Sequence, residues 1–438
     1  MQRKIIQVEE RVPLLKGLPL SFQHLFAMFG ASVLVPMLFN NAAGKTVVDP
    51  ALVLLMNGIG TLIYLFLCKG KAPAFLGSSF AFLTPTFVII ASKGDFSRAL
   101  GGFVLCGIIF IVVALIIGVV GTKWIDIVLP PAAMGPIVAL IGLELSLTAA
   151  NNAGLVTNPG VALDSKSIIV SLFTLAVVIF GSLMFRGFFS IIPILTAIVL
   201  GYGLAAILGV VDTAPVTSAN WLAIPHFTLP TFDLSSMLIV APAALVVISE
   251  HIGHLIVTSK IVDRDLLKEP GLHRSLLGDG ISTTLSGFMG SVPTTTYGEN
   301  MGVMAITRVY SVWVIGGAAV ISIVLAFFGK LAGVINSIPT SVMGGISLFL
   351  FGVIAASGIR ILVEARVDYS KARNLILTAV VFVVGVAGAN DPSMGLPSLY
   401  IKIKDVPLKG MALATIVGIV LSLIFYVLDK LKLTNDRV

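Results

Sequence analysis

The chain has 438 residues, of which 57% are hydrophobic and 11% charged, and its mean hydropathy is +1.06. These values exclude a soluble globular domain and point to an all-α polytopic membrane protein. The formal net charge of +7 is accounted for by loop topology, so no nucleic-acid partner is invoked.

The N-terminal MQRKIIQVEERVPLLK is too charged, and the apolar run behind it too long, for a cleaved signal peptide. Apolar runs near 18–38, 51–68, 82–92, 99–119, 132–148, 167–183 and 189–210 predict seven helical passes. Runs near 234–256, 277–288, 300–307, 310–328, 341–358, 372–389 and 410–429 predict seven more. The third and tenth of these fourteen are too short to cross about 30 Å of hydrocarbon. Each therefore needs an irregular partner segment, sheltered by protein or lining a cavity, and short extended strands are expected there. With the N-terminus placed in the cytoplasm, alternation puts most of the 28 Lys and Arg on the cytoplasmic side. Lys260, Arg264, Lys268 and Arg274 share one such loop, and Arg360, Arg366, Lys371 and Arg373 another. Val211 to Ser235 carries Asp212 and Asp233 but no Lys or Arg, as an external loop should. Both termini are then cytoplasmic. Cys68 and Cys106 lie in or beside apolar spans without metal-ligand spacing and read as buried free thiols.

The sequence also repeats itself. Phe75-Leu76-Gly77-Ser78 returns as Phe288-Met289-Gly290-Ser291, and Pro130 with Met134-Gly135 returns as Pro339 with Met343-Gly344. Gln23-His24 in the first span has a counterpart in Glu250-His251 in the eighth. A duplicated unit of seven spans is odd-numbered, so consecutive copies enter the membrane from opposite sides and form inverted repeats. Secondary transporters are built this way, with discontinuous segments of the two halves meeting at the substrate near the bilayer midplane. The corresponding segments here are AFLGSSFAF from Ala74 and FMGSVPTTTYGEN from Phe288.

Glu250 lies in a run free of Lys and Arg from Leu234 to Ser259. A charge at that depth costs about 2.5–3.5 kcal/mol even on the gentlest scales, so this carboxyl must be protonated, paired or facing a polar cavity. His254, one turn on, shares its face, whereas His251 is about 100° away and reads as structural or as a gate element. Glu299 supplies a second intramembrane carboxylate. Thr294 to Thr296 follow Pro293 and favour an extended backbone, and Gly298 permits close approach of a ligand. A helix starting near Asn300 would direct unsatisfied N–H groups into the site, and Gly77 to Phe80 can do the same from the other half. Carboxylate acceptors beside main-chain donors suit a small planar solute with alternating N–H and C=O groups, with Tyr297 and Phe80 against its faces. A cation would fit the Glu pair equally well.

Gln23, His24, Ser79 and Asn300 form a candidate supporting polar network. Glu144 reads as a solvated position at the mouth of its span, and His226 and His273 as loop residues without a role. An anion channel or exchanger on the same fold needs a cationic site, which two buried glutamates oppose. A membrane-embedded enzyme would need a nucleophile, metal ligands or a cofactor motif; His251 to His254 spell HIGH, but inside an apolar span with no nucleotide domain around it.

Glu299-Asn300-x-Gly302-x-x-x-x-Thr307-Arg308 resembles the signature motif of the nucleobase-ascorbate transporters, and Gln23-His24 resembles that family's first-helix motif. QHLFAMFGASVLVP, LGSSFAF, PPAAMGPIVALIGLEL, SEHIGHL, PGLHRSLLGDG, TTYGENMGVMAITRVYS and LKGMALATIVGIVLSLIF carry the likeness in order over nearly the whole chain. The resemblance implies proton-coupled symport of uracil by alternating access across the bacterial cytoplasmic membrane, with no cofactor or metal. Xanthine, uric acid or ascorbate are the alternative substrates within the family. It also implies a core domain of residues 1–125 and 234–330 and a gate domain of residues 126–233 and 331–438, and it allows a homodimer. By the same resemblance Glu250 and Glu299 bind the substrate, Phe80, Tyr297 and Gly298 line its site, and His254 stands near the proton pathway. Glu250, His254 and Glu299 are thus the candidates for proton coupling. Phe351 departs from the family pattern, which carries Tyr there.

Overall fold

The computed structural model describes residues 5–156, 163–389, 398–403 and 406–434. Helices α1 (Leu14–Ala43) and α2 (Pro50–Leu67) lead into strand β1 (Leu76–Ser78). A 3-10 turn, Phe80–Phe82, then opens α3 (Leu83–Lys93), and α4 (Ser97–Val120) and the short α5 (Lys123–Val128) follow. Next come α6 (Pro131–Glu144) with its continuation α7 (Ser146–Asn152), then α8 (Ser165–Met184), α9 (Pro193–Ile207) and the short α10 (Ala214–Ser218). The second half repeats the order: α11 (Leu234–Val262), α12 (Leu272–Met289), strand β2 (Thr294–Thr296), α13 (Gly298–Thr307) and α14 (Val312–Leu325). It ends with α15 (Gly329–Asn336), α16 (Thr340–Glu364), α17 (Ala372–Ala389), the hairpin β3 (Tyr400–Ile403) and β4 (Val406–Lys409), and α18 (Gly410–Lys430).

All fourteen expected passes are present. Among the described residues, 9 helical stretches are long and apolar enough to cross a membrane alone, and Phe80–Lys93, Pro193–Ile207 and Val312–Leu325 are shorter apolar helices. The remaining two are the polar α12 and the short α13. One boundary differs from expectation. α12 begins at Leu272, directly after Pro270-Gly271, so His273 sits in its first turn and not in a loop. Its polar first turn hid it from a reading based on apolar runs. α13 begins at Gly298, near Asn300 as expected, which places Glu299 in its first turn, where a carboxylate is favoured by the helix dipole.

The two halves pack as inverted copies. α4 lies on α12 as α14 lies on α2, and α1 meets α14 as α11 meets α4. In a second group, α8 packs on α9 as α17 packs on α18, while α6 and α16 face each other. The groups touch through equivalent pairs: α1 with α9 and α16, α11 with α18 and α6. β1 and β2 pair antiparallel with Gly77 opposite Thr295, so the local twofold passes between those residues. Flanking bonds obey it too: Ser79 N donates to Pro293 O at 2.9 Å and Tyr297 N to Phe75 O at 3.0 Å. The first N–H of each strand goes to a threonine hydroxyl of the preceding helix, Leu76 to Thr61 at 2.9 Å and Thr294 to Thr283 at 3.2 Å. Every such bond matters, because no water is at hand in the bilayer interior.

The strand pairing corrects one of the repeats read from sequence. It equates Leu76-Gly77-Ser78 with Thr294-Thr295-Thr296, whereas Phe288-Met289-Gly290-Ser291 ends and caps α12, with Gly290 at φ 90°. The Pro130 and Pro339 match holds, since each is the N-cap of its helix, α6 and α16. Cys68 and Cys106 are buried and free. The connection after α10 straps one end of the first group: Ala223 N donates to Phe327 O at 3.0 Å, Thr228 N to Met289 O at 3.2 Å and Thr231 N to Ser97 O at 2.9 Å.

Candidate substrate-binding site

Because β1 and β2 meet side by side, the 3-10 turn before α3 and the N-terminus of α13 both open beside the strand pair. There a cavity of about 320 Å³ lies between the two packing groups. On one side it is walled by Phe80, Glu250, His254 and the run from Thr295 to Glu299. On the other it is walled by Val138 of α6, Ile194 of α9 and Leu350, Val353 and Ile354 of α16. It continues along α16 to Ser357 and Arg360, and Arg360 is ion-paired with Glu364.

Of the residues expected at the site, Glu250, Glu299, His254, Phe80, Tyr297 and Gly298 all line this cavity. Thr295 Oγ1 donates to Glu250 Oε2 at 3.5 Å, a long bond that leaves the carboxylate free to take a better donor. His254 Nδ1 lies 3.1 Å from Thr296 Oγ1, which fixes the ring on the face of Glu250. A Cβ on Gly298 would meet only Met301 Cε at 3.7 Å and His254 Nε2 at 3.8 Å, so the glycine keeps open a place beside the N-terminus of α13. Tyr297 is tied down. Its hydroxyl donates to Ser78 O at 2.9 Å, and its ring covers Gly77, where a Cβ would collide with it. Phe80 meets Phe351 edge-on at 5.8 Å, so Phe351 packs against the cavity wall from the opposite group.

Beneath the site, Asn300 Nδ2 lies 3.1 Å from His24 Nδ1 and donates to His24 O at 3.1 Å, tying α13 to α1. Gln23 Oε1 and Ser79 Oγ have no hydrogen-bond partner among the described residues. Ser79 joins the frame through its main-chain N–H alone. Ser78 supports β1 instead, donating to Ser32 O at 3.0 Å.

Two acidic residues differ from their sequence reading. Glu144 is buried, not solvated: Oε1 accepts from Met411 N at 2.5 Å, so the carboxyl caps α18 across the second group. Asp279 was not singled out, yet it is fully buried. Its Oδ2 lies 3.2 Å from His251 Nδ1, and its Oδ1 accepts from Thr294 Oγ1 at 3.1 Å. His251 Nε2 lies 2.7 Å from Ser275 Oγ, which lies 3.0 Å from Tyr64 Oη. The network pins α11, α12, α2 and β2 together and places His251 within it, the first of the two readings, structural or gate element, that the sequence left open. A carboxylate inside a span was the available signal, but the polar composition of α12 made Asp279 inconspicuous.

The sequence profile of the Permease family matches residues 15–394. The chain belongs to this family, that of the nucleobase-ascorbate transporters. It is 56% identical over 439 residues to the uracil permease of Paenibacillus larvae subsp. larvae, covering 100% of both chains. It is 56% identical over 432 residues to the uracil permease of Escherichia coli strain K12, covering 99% of this chain and 96% of the relative. A putative pyrimidine permease of the same strain is 37% identical over 393 residues, covering 87% and 85%. Among solved structures, the transmembrane domain of the cyanobacterial bicarbonate transporter BicA superposes with a TM-score of 0.59 at 13% identity, covering 95% of this chain and 100% of that one. The murine Slc26a9 anion transporter gives a TM-score of 0.67 at 11% identity, covering 96% and 69%. At such identities these two show the shared inverted-repeat membrane fold alone.

Proposed function

We propose that this multi-pass membrane protein is a proton-coupled uracil symporter working by alternating access. The observation that carries the reading is the placement of Glu250 and Glu299 on one cavity, beside the N-terminus of α13 and between the two packing groups. Uracil is small and planar and presents alternating N–H and C=O groups. The glutamates accept from its N–H groups, and main-chain N–H groups at Gly298 and Glu299 donate to its carbonyls. Phe80 closes one face. The names of the relatives, uracil permeases at 56% identity, support this substrate.

The first packing group, α1–α4 and α11–α14, is the core domain and carries the polar wall. The second, α6–α9 and α16–α18, is the gate domain and faces the polar wall with the apolar side chains of Val138, Ile194, Leu350, Val353 and Ile354. A shift of one against the other opens the site to either side in turn. Uracil is neutral near pH 7, so uphill transport needs a separate driving ion. Glu250 carries the proton, with His254 on the same face as its relay partner. Binding is then reciprocal, uracil raising proton affinity as protons raise uracil affinity. Glu144, Asp279 and His251 serve the frame and not the ligand. Both termini and the Arg360 end of the cavity face the cytoplasm of a bacterial cell, the side to which Lys and Arg are biased.

The test is uptake of labelled uracil into proteoliposomes with a pH gradient imposed or collapsed, and with xanthine, uric acid and ascorbate as competitors. Accumulation that follows the gradient and resists those competitors is expected. Accumulation indifferent to the gradient removes the proton coupling, and displacement of uracil by xanthine or ascorbate removes the substrate assignment.

A further inference from the structure

Along the outer side of the α2–α14 pair runs a groove with no protein cover. Leu62 and Phe66 form one wall and Val320 the other, and all three are exposed. Gly316 forms its floor: a Cβ there would meet only Leu65 Cδ1, at 3.6 Å. An apolar groove is ordinary on a lipid-facing surface; the chemistry at its end is not. Lys69 and Arg274 flank that end, and neither side chain has a hydrogen bond or ion pair among the described residues. The acids nearby are already engaged, Glu269 with Lys71 and Glu9 with Arg264. Trp313 lines the same end, and the Arg11 guanidinium sits 4.3 Å above its ring. An exposed tryptophan beside basic groups marks headgroup depth.

We propose that this groove binds an anionic phospholipid. One acyl chain lies over Gly316 between Phe66 and Val320, and the phosphate sits between Lys69 and Arg274 at the level of Trp313. The guanidinium can grip a phosphate through two N–H groups, and the ammonium adds a point charge. Zwitterionic lipids carry a phosphate as well, but their own amine offsets its charge, so the site selects for net negative lipid.

The test is native mass spectrometry of the full chain in detergent with added phosphatidylglycerol or phosphatidylethanolamine. Phosphatidylglycerol is expected to be retained in preference. Each basic side chain is worth roughly fivefold in binding, so the Lys69→Gln/Arg274→Gln double variant should lose about twenty-five-fold. Gly316→Phe fills the groove, leaves the charges in place, and should cut retention of both lipids. Arg274→Gln alone serves if the double variant does not stay monodisperse. Wild-type lipid preference in either charge variant, or wild-type lipid retention in Gly316→Phe, would overturn the proposal. So would competition by soluble glycerol phosphate equal to that of the lipid, or loss of a dimer instead of lipid on mutation, which would give the groove to a second copy of the chain.

Discussion

Ser79-Phe80-Ala81-Phe82 and Tyr297-Gly298-Glu299-Asn300 follow strands that pair about one local axis, and each run opens a half-helix at the same depth. Their backbones are alike, but their side chains are not. In the first copy Ala81 and Phe82 are fully buried among apolar neighbours, and only Phe80 reaches the cavity. In the second, Gly298 leaves room, Glu299 brings a carboxylate and Asn300 binds His24. Duplication supplied a frame in which two broken helices satisfy each other's backbones. Placing the costly polar groups in one copy keeps the number of buried carboxylates small. On the proposed function the first copy is wall and brace and the second the ligand holder, and substitutions at equivalent places should have unequal effects.

The largest effect is expected at Glu299. Glu299→Gln keeps the shape but turns an amide donor towards a substrate N–H, which costs about 1–3 kcal/mol, roughly five- to 150-fold in uracil affinity. Equilibrium binding of labelled uracil to the purified variant measures this, and wild-type affinity would remove Glu299 from the site.

Gly77→Ala and Thr295→Ala form the next pair, at positions opposite each other in the strands. A Cβ on Gly77 runs into the Tyr297 ring, which Ser78 holds in place, so overpacking should cost about 1–3 kcal/mol. Thr295→Ala meets no such clash and removes only the long bond to Glu250. Thermal unfolding in detergent should show the larger drop for Gly77→Ala, and an equal or reversed order would mean the strands are not braced as described. Asn300→Ala strips the partner from His24 and should cost about 0.5–1.5 kcal/mol by the same measurement, with uracil affinity less affected than in Glu299→Gln. An affinity loss as large as that of Glu299→Gln would move Asn300 from the brace into the site.

Phe351→Tyr adds a hydroxyl beside Phe80 and should change uracil affinity least, by a neutral hydrogen bond's worth of about 0.5–1.5 kcal/mol. A larger change would assign Phe351 a direct part in holding the ligand.

Much of this was legible in the sequence. Span lengths gave the passes, because hydrocarbon thickness converts directly into residues of helix. Glu250 and Glu299 stood out because carboxylates inside apolar runs are rare. Three features were not legible. The repeat phase at the strands rests on hydrogen-bond register, and the likeness of Phe75-Leu76-Gly77-Ser78 to Phe288-Met289-Gly290-Ser291 pointed to the wrong partners. The burial of Glu144 depends on Met411, remote in the chain. Asp279 gains its meaning from His251 and Thr294, which only packing brings to it.

The claim that matters most is that Glu250 carries the driving proton. Glu250→Gln, reconstituted in proteoliposomes, tests it by comparing gradient-driven accumulation of labelled uracil with exchange at equal concentrations on both sides. If Glu250 carries the proton, accumulation is abolished and any remaining exchange loses its pH dependence. A Glu250→Gln protein that still concentrates uracil in response to a proton gradient would contradict it and pass the proton to His254 or Glu299.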